Sequence, residues 1–269
     1  MSTLLKRTSP IMAVPDSVAG QDAYAAPADP PQHSFMRSAW LHLLPGALAV
    51  LFASLVGPLI ILAELPLLLL PSLWAVCVLI PVELGYLLVQ GKQRNGRFSL
   101  NGIVCYRTPM PVRTYVFLIP VLLVWGVVAF LLGQPSEAYL SNSIFSWMPS
   151  WFHTMFTIDT TRAHDPTIAR LAVMLYLVTN PATAFVEELY FRGYLLPRIE
   201  HLKGWAPFTS TVLFSLQHFF SPWQNLGRIL AFLPIAYAVT WKKNIAISII
   251  THCALNVLSG ILLLLTLYR

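Results

Sequence analysis

The chain has 269 residues, of which 57% are hydrophobic and only 10% charged. Soluble domains carry about 25% charged residues, so this chain cannot cover its surface with charge and its solvent is largely lipid. The net charge of +6 therefore reads as basic loops facing anionic headgroups, and no nucleic-acid partner is expected.

Residues 1–38 are rich in Ala, Pro, Ser and Asp and lack a long apolar run. Within them, the prolines of Pro27-Ala28-Asp29-Pro30-Pro31-Gln32 remove backbone donors and fix φ. We expect a disordered tail here. The apolar patch at 11–14 is too short for the core of a signal peptide. A membrane-spanning helix needs roughly 20 apolar residues. Such runs follow at about 40–63 and 67–89, the second with Glu83 near its end. A polar loop at 90–113 carries Lys92, Arg94, Arg97, Arg107 and Arg113. The third run is 115–132. The connection after it, 133–166, holds Trp147, Trp151, Phe152 and Phe156, which suit a segment resting on headgroups. Further runs lie at 168–191, 206–220, 229–241 and 245–267. The fifth and sixth are short for a span and could be tilted or broken.

The reading is an all-α, polytopic membrane helix bundle of about seven transmembrane helices. Residues 39–166 form its N-terminal helices and interfacial connection, and 167–269 form its chemical core. A cytoplasmic N-terminus puts Lys6, Arg7, Arg37, the 90–113 loop, Arg192, Arg198, Lys203, Lys242 and Lys243 inside. Arg162, Arg170 and Arg228 fall outside, with Glu64, Glu137, Asp159 and Asp165. Basic residues thus concentrate on one side, as the positive-inside rule requires. Cys77, Cys105 and Cys253 are an odd set whose spacing suits neither a disulfide framework nor a zinc knuckle.

Three apolar runs carry groups that are expensive at membrane depth, by roughly a few kcal/mol each. Glu187 and Glu188 are adjacent, so a helix splays them about 100° apart. Glu188 and Arg192 are four apart and share a face, which suits a buried ion pair. Glu187 is then free to point elsewhere and act as a general base for water. Phe214 and His218 are also four apart on one face, as are His252 and Asn256, a pair able to hold an oxyanion. Each set alone reads equally well as a buried cluster that only glues helices. Three sets in one bundle make a hydrolytic centre the stronger reading. Helix geometry puts His218 roughly three turns from 206, deeper than Glu187.

Glu187-Glu188-x-x-x-Arg192, Phe214-x-x-x-His218 and His252-x-x-x-Asn256, in this order, resemble the three motifs of the CPBP family. That family comprises type II CAAX prenyl endopeptidases and their Abi-like or bacteriocin-processing bacterial relatives. The resemblance covers about 170–260. It implies an intramembrane endopeptidase acting on a membrane-associated or lipidated protein or peptide, with membrane lipids as its other partners. In it Glu187 activates water with His218 as partner, His252 and Asn256 stabilise the oxyanion, and Glu188, Arg192 and Phe214 support them. The family has been described both as metalloproteases and as glutamate-type proteases. No cofactor is the preferred reading here, since His-Glu-x-x-His is missing. Zinc on Glu187, His218 and His252 is the alternative. A non-catalytic scaffold or immunity protein on the same fold, or a proton-coupled transporter, are the competing functions. Short loops point to a bacterial inner membrane, with the N-terminus cytoplasmic.

Overall fold

The computed structural model describes residues 30–154 and 165–267, with side chains to Leu265. The expectations placed on 1–29, and on Phe156, Asp159 and Arg162, lie outside them. The described residues form eight helices and no strand: α1 (Phe35–Leu62), α2 (Leu69–Asn95), α3 (Val112–Asn142), α4 (Ser150–Thr154), α5 (Pro166–Leu202), α6 (Trp205–Leu216), α7 (Asn225–Lys242) and α8 (Ala246–Leu267). Five of them, α1, α2, α3, α5 and α8, are long and apolar enough to cross a membrane. The protein is an integral membrane helix bundle. The two short runs of the sequence became α6, of 12 residues, and α7, of 18 residues, which complete the bundle around the site.

Local sequence explains the boundaries. Ser34 caps α1, its Oγ accepting from Arg37 N at 3.3 Å, so residues 35–38, read from the sequence as tail, are helical. The segment just before the helix is docked: His33 N–H donates to Arg198 O at 2.7 Å, and Gln32 Nε2 to Pro197 O at 3.1 Å. Asp165 caps α5, accepting from Thr167 and Ile168 N–H, with Pro166 at the first helical position where its missing donor costs nothing. These two backbone bonds favour the charged form and hold the Asp165 carboxyl below its ordinary value. Helix α2 runs on to Asn95 and ends at Gly96, whose φ of +70° suits glycine. It therefore takes the first part of the predicted polar loop. The rest of that loop folds back, burying Ile103, Val104 and Tyr106. Likewise α3 extends to Asn142, ten residues into the predicted connection. Beyond it Trp147 is exposed, whereas Phe152 is buried and stacks on Trp151 at 3.9 Å.

Two wide turns interrupt the α-helical ladder, at Ala75–Leu79 in α2 and at Glu188–Leu195 in α5. Such π turns frequently mark functional sites. The second begins at the carboxylate pair and is followed by a 3-10 stretch, Leu196–Leu202. Gly193 O there accepts from Cys105 N–H at 2.7 Å, tying the folded-back loop to α5. The main core surrounds this turn and draws on α2, α3, α5, α6, α7 and α8. Helix α8 packs most extensively on α5, and α7 on α3. Close approach depends on glycine: a Cβ at Gly46 of α1 would lie 1.6 Å from Gln217 O, just beyond α6.

Candidate active site

A cavity of about 620 Å³ opens within the bundle. Its polar wall includes Glu187, His218, His252, Asn256, Asn180 and Arg228, and Phe214 also lines it. Glu188 and Arg192 do not line it. The splay of adjacent helical residues accomplishes this division. Glu187 is turned to the cavity, while Glu188 is withdrawn into the core at 0% exposure and meets Arg192, also at 0%, with Oε1 and NH1 3.2 Å apart. The guanidinium lies 3.9 Å over the Phe214 ring, a cation–π contact that gives the buried charge a second partner. Phe214 thus supports Arg192.

His252 joins the two carboxylates. Its Nδ1 donates to Glu188 Oε1 at 2.8 Å, and its Nε2 lies 3.9 Å from Glu187 Oε2. Because the carboxylate can only accept, the Nδ1 carries the proton. Nε2 of the neutral ring then offers a lone pair beside Glu187, and the protonated ring donates there instead. Phe232 packs on the same ring at 4.6 Å, fixing its plane.

His218 sits differently from expectation. Helix α6 stops at Leu216, so His218 is beyond its end and not on a helical face. Its Nδ1 donates to Phe214 O at 2.9 Å, one of the carbonyls a helix end leaves unsatisfied. That bond again fixes the proton on Nδ1 and leaves Nε2 as an acceptor. The ring stands edge-on to Phe214 at 5.1 Å, so the four-residue spacing still brings the pair together. The predicted depth mismatch is resolved by the early end of α6: His218 and Glu187 line one cavity. The direct partner of Glu187, however, is Gln217, whose Nε2 donates to Oε1 at 3.4 Å. Asn256 also has a partner unforeseen in the sequence, donating from Nδ2 to Asn180 O and Oδ1 at 3.2 and 3.1 Å.

Four polar residues at or near the site were not singled out for it by the sequence: Gln217, Asn180, Arg228 and Glu83. Asn180 was within reach, since it lies seven residues before Glu187 and shares its helical face. Arg228 was counted as a loop charge on the outer side, yet is 7% exposed. Arg192 and Arg198 are equally buried and also drop out of the topological charge count. Glu83 is fully buried, neither oxygen has a hydrogen-bond partner among the described residues, and it acts electrostatically on Glu187, Glu188 and Arg192.

Among the described residues no group of three or more His, Cys, Asp or Glu side chains is arranged to hold a metal ion. His218, Glu187 and His252 line the one cavity.

Residues 169–258 match a family model described as Type II CAAX prenyl endopeptidase Rce1-like. The match supports the resemblance to the CPBP family that the three motifs carry. The match contains all three motifs and runs from α5 into α8, while α1 to α4 lie outside it. No curated protein and no solved structure matches the chain.

Proposed function

We propose that the chain is an intramembrane endopeptidase of the glutamate type, hydrolysing a peptide bond of a membrane-associated or lipidated substrate. The observation that carries this reading is the division of the two carboxylates. Glu188 is held by Arg192 and His252, leaving Glu187 in a cavity beside three further groups of hydrolytic chemistry. Glu187 takes a proton from water and later returns it to the leaving amine. Gln217 holds one carboxylate oxygen, so the other, Oε2, faces His252 Nε2 and the reacting water. The free Nε2 of His218 accepts a hydrogen bond from that water and orients it. Asn256, aimed by Asn180, and His252 in its protonated form donate to the oxyanion. The distribution of Arg37, Lys92, Arg94, Arg97, Arg113, Lys203, Lys242 and Lys243 supports a cytoplasmic N-terminus.

The test is cleavage of a farnesylated C-terminal peptide by protein reconstituted in nanodiscs, followed by mass spectrometry. Glu187→Gln keeps the shape and removes the base, so the rate should fall by about 100-fold or more. Unchanged cleavage by that variant overturns the role of Glu187. Failure of the wild type to cut either this peptide or a transmembrane peptide counts against the protease reading itself.

A further inference from the structure

We infer that Arg228 is a specificity-determining residue of this cavity, holding the free C-terminal carboxylate of the peptide that is cleaved. The inference rests on the endopeptidase reading for its substrate, but the observation behind it is independent of the motifs. Arg228 lines the same cavity as Glu187 and is 7% exposed. Its guanidinium donates to Asn225 Oδ1 at 3.1 Å, Ser221 Oγ at 3.0 Å and Gln224 Oε1 at 3.1 Å. All three acceptors are neutral. Among the described residues no carboxylate comes within ion-pairing distance of it. Glu137 and Glu187 act on it only from farther away.

A buried charge left without a counter-ion is costly, and a fixed bundle keeps one only where something repays it. The contrast with Arg192 is direct, since that guanidinium has Glu188 at 3.2 Å and lies outside the cavity wall. The neutral scaffold around Arg228 aims it without neutralising it. Asn225 is itself held, accepting from Ser215 Oγ at 3.1 Å through both Oδ1 and its backbone oxygen. A guanidinium has five donors, and the scaffold takes three of them, so Nε–H and one Nη1–H remain to donate to an anion such as a carboxylate. Besides the polar wall, the cavity is bounded by apolar side chains such as Leu68, Trp74 and Phe130. A peptide end entering it brings one obligatory negative charge, and Arg228 is where that charge is met. An anionic lipid headgroup offers similar chemistry through its phosphate, and the experiment separates the two sources.

Two farnesylated peptides of one sequence are compared, ending in a free carboxylate or in an amide. Binding is measured by fluorescence anisotropy to the Glu187→Gln protein in phosphatidylcholine nanodiscs, so the readout does not need hydrolysis. The acid should bind roughly tenfold or more tightly than the amide. Adding Arg228→Gln should bring that ratio close to one, and Arg228→Lys should restore part of it. The ratio is taken within one preparation, so loss of folded protein cancels. Equal binding of acid and amide to the parent, or a ratio that survives Arg228→Gln, overturns the assignment. A ratio abolished by phosphatidylglycerol in the parent assigns the site to lipid phosphate and overturns the carboxylate. Because these outcomes concern binding, they stand apart from whether the wild type cleaves at all.

Discussion

Of the 31 residues of α3, the buried ones are Leu122, Gly126, Ala129 and Gly133. In the eight residues 188–195 of α5, every side chain is buried, including Glu188 and Arg192. Both stretches belong to long helices in one bundle. Helix α3 buries a narrow strip of mostly small residues at three- and four-residue spacing, and lays Phe117, Val121 and Val124 outward. Lipid is as apolar as these side chains, so small residues and close backbone approach decide the contact. The wide turn of α5 has no outward face. Its charges have to be paired within the protein, and Glu188 turned inward to Arg192 goes with Glu187 turned to the cavity. Position in the bundle, more than local hydrophobicity, separates a membrane wall from a reaction centre.

Breaking the ion pair of α5 should therefore have the largest effect on stability. Glu188→Gln leaves Arg192 in the core without its carboxylate, while the new amide oxygen can still accept from His252 Nδ1. Removing one partner of a buried pair costs about 3–5 kcal/mol. Thermal unfolding in detergent should show a large drop in the midpoint. A midpoint equal to the parent would mean that another carboxylate, Glu83 first among them, carries the pairing.

The sequence made the α5 pattern legible because its logic is local. Adjacent residues diverge and residues four apart converge, so the pairing of Glu188 with Arg192 and the separate direction of Glu187 followed from spacing alone. The apolar runs likewise announced the bundle, and five of the seven became helices long enough to span. What stayed hidden depends on pairings between distant segments. Gln217 reaches Glu187 across 30 positions, and Asn256 reaches Asn180 across 76. The end of α6 before His218 was equally illegible, since no glycine or proline marks it and Phe214 to Phe220 is continuous with the apolar run. Arg228 misled for a physical reason: a cation near the end of an apolar run has the same pattern whether it meets water or a cavity.

A smaller effect is expected where α1 supports the site. The Gly46 position touches Gln217 O so closely that any Cβ must push the chain between α6 and α7 aside. Gly46→Ala should cost about 1–3 kcal/mol through overpacking. It should also lower kcat by up to about 100-fold, because Gln217 and His218 are displaced relative to Glu187. Thermal midpoint and kcat measured on the same preparation check both parts. A stable variant with parental kcat would show that α1 does not set the position of the site.

The smallest effect tests the other side of the comparison. Val124 on α3 is 65% exposed, on the face directed away from the bundle. In water, exposing and truncating such a residue would alter the hydrophobic balance, but here its surroundings in both the folded bundle and the inserted, separated helices are hydrocarbon. Val124→Ala removes two methyl groups from a contact that lipid replaces, and the midpoint should stay within about 0.5 kcal/mol of the parent. Measured beside Glu188→Gln, it sets the scale of the difference between wall and centre. A cost for Val124→Ala approaching that of the buried pair would mean that this face of α3 meets protein and not lipid. The strip of Gly126, Ala129 and Gly133 would then be one of two packed faces on the helix.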